Sequence, residues 1–307
     1  MTPSTAPAVR ALRLQGGRRA VLLLHGLSSG PQELQFLARG LHRAGYTVVV
    51  PTLDGYSFGG PGQRLGTQQD WAAAALAAFD ALVAESDTVA VGGLCIGAVL
   101  ALRVAALRGP QVSAVLALST TLHYDGWATP WYRCLLPLAA WLPGAARAFG
   151  GIGIQETAPF GVKDERMRGW IATQMAQAGN SDAGAAVLRV RDLLQARQLI
   201  ADVRRRLPDI TSPTLLLHAR DDDAAAPRSA FEVARRVKSR RVRCVLMADS
   251  YHMLSIDREK HQVLAEMRDF LQSPGATLVD SSAGPAPVTG PGHLIAFDRP
   301  SQIKTQP

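Results

Sequence analysis

Apolar and polar positions along this chain alternate in two rhythms. Short, almost unbroken apolar runs stand at 19–24, 46–50, 88–92, 112–118, 213–218 and 242–247. Each is too short for a helix and gives way to a turn-forming or polar stretch, as strands buried on both faces do. Between them the spacing becomes helical. Over 33–44, Leu34, Leu37 and Leu41 share one face with Ala38, Pro31 suits the first turn, and Gly45 ends the pattern. The Ala-rich stretch 68–84 is opened by Thr67-Gln-Gln-Asp70, a capping pattern with Thr67 at the N-cap. Further helices are predicted at 97–107, 228–237 and 256–271. A first strand is expected at 11–15, with Gly16-Gly17 as a turn.

The rhythm breaks in three places. Residues 1–10 are Pro-, Ala- and Thr-rich and are expected to be unordered. From 122 to 209 the alternation stops. That stretch holds Trp127, Trp131, Trp141 and Trp170, and helix-like pieces at 131–142, 164–178 and 185–206. After Ser273 the chain is Pro-, Gly- and Ser-rich to 307, a flexible tail whose one apolar piece, 293–297, could dock as a short strand. No internal repeat is present. The expected architecture is an α/β class: a mostly parallel, doubly wound sheet formed by 11–121 and 210–272, with helices on both faces. Sites in such sheets lie at the carboxyl ends of the strands. The 122–209 insertion then sits over that edge as a helical cap, and some of its aromatic residues are expected to line an apolar pocket.

Composition narrows the class. With 307 residues, 47% of them hydrophobic, the chain can bury a sizeable core. Its three cysteines, Cys95, Cys134 and Cys244, have no paired spacing, which argues against a disulfide framework and a thiolate metal site and for a reducing compartment. No secretory leader and no apolar run of membrane-spanning length is read, so a cytoplasmic location is expected. The net charge of +8 is carried mostly by arginine. It reads as a basic solvated surface that also suits acidic, phosphate-bearing partners. No aromatic-interleaved basic motif points to nucleic acid.

The candidate chemistry begins at Gly93-Leu-Cys95-Ile-Gly97, where the 88–92 strand meets the 97–107 helix. This is G-x-C-x-G: strand, sharp turn, helix, with a nucleophile-capable side chain at the apex. The apex must adopt a strained backbone, and a side chain two positions either way would collide with strand or helix. The turn aims the Ile96 N–H and the helix N-terminus at the space above the sulfur, which suits an anionic intermediate. A cysteine there needs a base, an orienting acid and oxyanion donors. His25-Gly26-Leu27 follows a buried strand and offers the Leu27 N–H. The run Arg220-Asp-Asp222-Asp-Ala-Ala-Ala-Pro227 follows another. His252 stands after the last strand. His218 reads as a packing residue, His123 as a weak substrate-contact candidate, and His42, His261 and His293 as surface residues. No convergent metal-ligand spacing is seen, and no cofactor is called for.

Over roughly 15–272 the chain resembles the α/β-hydrolases of the bacterial carboxylesterase and monoacylglycerol-lipase type. The likeness is carried by Arg19-Ala-Val-Leu-Leu-Leu-His-Gly26, Gly45-Tyr-Thr, Gln69-Asp-Trp71, the elbow, Ala219-Arg-Asp-Asp222 with Pro227, and His252 with Asp257. The chain order nucleophile, acid, histidine agrees with it. In that family the acid lies five positions before the proline. The resemblance therefore implies Asp222 as the acid, with Asp221 and Asp223 as solvated loop carboxylates. It implies a Cys95–His252–Asp222 triad, with Leu27 and Ile96 as oxyanion donors. Where the family normally has serine this chain has Cys95, as dienelactone hydrolases and polyhydroxyalkanoate synthases do. The implied function is hydrolysis of carboxylic esters or thioesters through an acyl-enzyme on small-molecule substrates. The alternative is acyl transfer from coenzyme A or an acyl carrier protein to a non-water acceptor. A non-catalytic ligand-binding role stands against the intact acid and histidine motifs.

Overall fold

The computed structural model describes residues 11–53, 55–57, 66–129, 152–181 and 184–273, together with the backbone of Gly292–Ile295. An eight-stranded sheet organises them. In chain order its strands are β1 (Leu12–Leu14), β2 (Arg19–Leu24), β3 (Thr47–Val50), β4 (Thr88–Leu94), β5 (Val112–Leu118), β10 (Thr214–Ala219), β11 (Val242–Met247) and β12 (Gly292–Ile295). Spatially they run β1-β3-β2-β4-β5-β10-β11-β12. The six inner strands are parallel, and β1 and β12 pair antiparallel at the two edges. One piece of the expected tail thus adds a strand to the sheet.

Both faces of the sheet are covered, and the strands show why. Leu22 and Leu24 of β2 join one core with Val89 and Val91 of β4, while Val21 and Leu23 join the opposite one with Ala90 and Leu94. The first core is closed by α2 (Gln68–Val83), α3 (Ile96–Arg108), α5 (Val190–Arg206) and α6 (Arg228–Arg236). The second is closed by α1 (Gln35–Arg43) and α7 (Lys260–Gln272). A fully buried leucine such as Leu22 stabilises this packing by about 2–5 kcal/mol relative to alanine. The α2 capping box forms as expected: the Asp70 N–H donates to Thr67 Oγ1 at 3.3 Å and the Thr67 N–H to Asp70 Oδ2 at 2.8 Å.

Two expected helices start late. Residues 184–189 form β8 (Gly184–Ala185) and β9 (Val187–Arg189), and α5 begins only at Val190. The β9 strand pairs antiparallel with β6 (Gly153–Gln155), and β8 with β7 (Asn180–Ser181), so tertiary pairing overrides helical propensity. The last helix begins at Lys260 rather than at 256. Asp257 accepts the N–H groups of Tyr251 and Arg258, which commits its backbone to turns. The helix α4 (Glu165–Ala178) has Asp164 as N-cap, its carboxylate accepting the Met167 N–H at 2.9 Å. The expected helix at 131–142 lies outside the described residues. Among the described residues no helix is long and apolar enough to cross a membrane.

Candidate active site

The site is built from the carboxyl ends of β2, β4, β5, β10 and the loop after β11. At the end of β4, Cys95 has φ 58° and ψ −120°, outside the regions most side chains adopt. The glycines on either side are obligatory. A Cβ on Gly97 would stand 2.0 Å from the Leu24 carbonyl oxygen, and one on Gly93 would stand 2.4 Å from the Gly97 backbone. The Cys95 N–H donates to Leu118 O of β5 at 3.0 Å. Ile96 opens α3 directly behind it, where the first helical N–H groups lack intrahelical acceptors. Cys95 Sγ lies 3.4 Å from Thr121 Oγ1.

At the end of β2, His25 is fully buried. Its Nδ1–H donates to Gly26 O at 2.9 Å, which leaves Nε2 to accept from the Ser57 hydroxyl at 2.9 Å. Burial holds this imidazole down at about 4, against a smaller upward pull from the Gly26 carbonyl, so it is neutral. Tyr56 donates its hydroxyl to His25 O at 2.7 Å. On the other side the buried Glu33 carboxylate accepts the Gly26 N–H and the Ser29 hydroxyl. These bonds fix the turn that presents Leu27 beside Cys95.

After β10, Asp222 is buried and richly bonded. Its Oδ1 accepts the Ala224 and Ala225 N–H groups at 2.9 and 2.8 Å, and His252 Nδ1 lies 2.9 Å from both carboxylate oxygens. His218 Nε2 stands 3.2 Å from Oδ2 and 2.6 Å from Ala225 O. Burial alone would raise the Asp222 pKa. The His252 charge, then the His218 and His252 hydrogen bonds, reverse that and hold it well below the carboxylate range. His252 responds in the opposite sense. Burial would lower it, but the charges of Asp222 and Cys95 raise it well above its ordinary value. Its Nε2 is buried and has no hydrogen-bond partner among the described residues.

Gly26, Leu27, Cys95, Asp223 and His252 line one cavity of about 270 Å³. The segment between β5 and β10 supplies much of the remaining wall, including Gln155, Thr157, Phe160, Met175 and Leu188. Trp127 and Trp170, by contrast, are 61% and 44% exposed and do not line it. Trp131 and Trp141 lie outside the described residues.

Three expectations are corrected, at Asp223, His218 and His123, while Asp221 is as expected. Asp221 is exposed and pairs with Lys163 at 3.6 Å, as a solvated loop carboxylate would. Asp223 is instead buried: it accepts the His252 N–H at 3.2 Å and the Gly161 N–H at 3.0 Å. The turn that points Asp222 at His252 also turns the next residue inward. His218 is more than packing, since it touches the acid. His123 pairs with Glu232 at 2.9 Å and does not line the cavity. His42 Nε2 lies 2.8 Å from Gln15 O, His261 is exposed against Phe36, and His293 falls in β12. Sequence reasoning missed Ser119 and Thr121, whose signal was the hydroxyl run Ser119-Thr-Thr closing β5, and it missed Glu33. Among the described residues no group of three or more His, Cys, Asp or Glu side chains is placed to hold a metal.

Comparison with known proteins follows the same lines. The family model for Hydrolase_4 (serine aminopeptidase, S33) matches residues 15–259. A thermostable monoacylglycerol lipase of Bacillus sp. (strain H-257) is 22% identical over 256 residues, covering 83% of this chain and 91% of that protein. A carboxylesterase of Bacillus subtilis (strain 168) is 24% identical over 261 residues, covering 84% and 94%. Among solved structures, a metagenome-derived lipolytic enzyme superposes with a TM-score of 0.72 at 24% identity, covering 87% of this chain and 98% of that one. The monoacylglycerol lipase of Paleococcus ferrophilus superposes with a TM-score of 0.69 at 16% identity, covering 86% and 98%.

Proposed function

The chain belongs to the Hydrolase_4 family of α/β-hydrolases, an esterase- and lipase-like enzyme, and from that premise we propose that it cleaves carboxylic esters or thioesters through a covalent acyl-enzyme on Cys95. The observation that carries the proposal is the His252 Nδ1 contact with both oxygens of Asp222, in a cavity that also holds the Cys95 sulfur. Asp222 fixes the imidazole so that Nδ1 carries a proton and Nε2 faces the reaction. Nε2 takes the thiol proton, the sulfur attacks the acyl carbon, and the Leu27 and Ile96 N–H groups receive the oxyanion. The tetrahedral intermediate expels the alcohol or thiol, which takes its proton from His252. Water, deprotonated by His252, then releases the acid. No cofactor enters these steps.

The substrates in this reading are small-molecule acyl esters, with glycerol monoesters and simple carboxylic esters suggested by the relatives. Residues 122–209 serve as a cap, and Thr157, Phe160, Met175 and Leu188 help set acyl selectivity. One feature favours a second reading. A thioester on Cys95 reacts with amines and thiols more readily than an oxygen ester, so acyl transfer from coenzyme A or a carrier protein is the alternative.

Incubation with p-nitrophenyl esters of graded chain length, followed by mass spectrometry, tests the proposal. Acyl mass on the Cys95 peptide is expected, and Cys95→Ala should abolish turnover. Full activity after confirmed alkylation of Cys95 by iodoacetamide overturns it. Product analysis with added amine or alcohol acceptors separates hydrolysis from transfer. Loss of transfer but not of hydrolysis in Cys95→Ser would favour transfer as the natural task.

A further inference from the structure

The exit of β5 touches both the thiol and the histidine. Ser119, at φ 45°, is anchored by its N–H to Leu217 O at 2.8 Å, and its hydroxyl donates to the His252 carbonyl at 2.6 Å. Two residues on, the fully buried Thr121 has its Oγ1 3.2 Å from Ser119 O and 3.4 Å from Cys95 Sγ. The hydrogen-bond roles follow from chemistry. A carbonyl can only accept, whereas a hydroxyl and a thiol can do both, so the Thr121 O–H reaches Ser119 O in one orientation and Sγ in another.

We propose that Thr121 is a further catalytic residue, whose hydroxyl donates to the Cys95 sulfur once it is a thiolate. The inference rests on Cys95 as nucleophile. In the first step the S–H bond breaks, the proton forms a bond to His252 Nε2, and the electron pair stays on sulfur. Thr121 keeps its own proton throughout and only changes acceptor, from Ser119 O to Sγ. When the acyl group departs, the C–S electron pair returns to sulfur and the same O–H receives it. A hydrogen bond to a charged atom is worth more than one to its neutral form. The hydroxyl therefore favours the thiolate over the thiol, both as attacking group and as leaving group. Rotation about one side-chain bond suffices, because Ser119 O and Sγ both lie within reach of the same oxygen.

Thr121→Val keeps the shape and removes the hydroxyl, Thr121→Ala removes it with less bulk, and Thr121→Ser retains it. The pH dependence of iodoacetamide inactivation and the kcat and KM for p-nitrophenyl acetate are measured on the full chain. Loss of the hydroxyl is expected to move the inactivation midpoint up by about one pH unit and to lower kcat about tenfold, with KM within about twofold. Thr121→Ser should restore both. A parent-like midpoint in the Val and Ala variants overturns the inference, and so does a Ser variant as impaired as they are. Cys95→Ala, assayed in parallel, keeps the two failures apart. If it retains turnover, the nucleophile assignment fails. If it is inactive while Thr121→Val and Thr121→Ala match the parent, only the role of Thr121 fails.

Discussion

Two imidazoles are buried near the same cavity, His252 in its lining and His25 next to Gly26 of that lining, and the surroundings drive them in opposite directions. His25 has only neutral partners, a carbonyl and a hydroxyl, so burial prevails and it stays uncharged. His252 is buried too, yet the Asp222 carboxylate overcomes that desolvation and favours its charged form. Burial sets the default for both rings, and a neighbouring carboxylate decides whether it is kept. One histidine thereby becomes a structural pin for the Gly26-Leu27 turn, and the other is placed to carry a proton.

The sharpest way to break this contrast is Asp222→Asn, which gives His252 a neutral partner like those of His25. A fall in kcat on the order of ten-thousandfold is expected. NMR titration of His252 should show its midpoint dropping. Asp221→Asn serves as the control, and an equal loss there would remove the acid assignment.

The second effect is in stability. Between pH 6.5 and about 4 the unfolded chain binds a proton at His25 that the folded chain refuses. His25 therefore contributes stability above pH 6.5 that is lost as the pH falls to about 4, amounting to about 3 kcal/mol. His252 has the opposite sign: its contribution is complete below its unfolded value and is lost as pH rises through its folded one. Thermal melts of His25→Asn from pH 4 to 7 should show a shallower acid decline than the parent. A decline unchanged in that variant would place its cause elsewhere.

A smaller effect is expected at Asp223, which the two-sided contrast would otherwise leave out. Asp223→Asn turns one buried acceptor into a donor facing an N–H, and should cost about 1–3 kcal/mol by denaturant titration. Its turnover should stay far above that of Asp222→Asn. Asp221→Asn, on the surface, should lie within about 0.5 kcal/mol of the parent.

The parts legible in the sequence are those where backbone geometry dictates residue type. The inner strands read as apolar runs because both their faces are covered. Gly93 and Gly97 read as an elbow because the neighbouring backbone leaves no room for a Cβ. The Thr67–Asp70 box is a local device and was visible as one. Other features depend on contacts distant in sequence. Residues 187–189 form a strand only because 153–155 lie beside them. The spacing to Pro227 singles out Asp222, but nothing in the sequence tells which of Asp221 and Asp223 faces water and which faces inward. Thr121 resembles any strand-end threonine until Cys95, 26 positions away, is seen against it.

The carboxylates beside Asp222 and His252 bear on how this enzyme can be re-engineered. Asp223 ties the Gly161 backbone to that of His252, and Asp257 ties Lys163 and Asp164 to Tyr251. The stretch around 161–164 is thus stitched into the loop that carries the histidine, by side chains that belong to the sheet's half of the chain. Exchange of the segment between β5 and β10 among relatives is therefore not a matter of cutting at its ends. A chimera whose donor segment cannot offer those three N–H groups would leave two buried acids short of hydrogen bonds beside His252. Transplants that keep the backbone path of 161–164, and replace only cavity-facing positions such as Met175 and Leu188, avoid that fault.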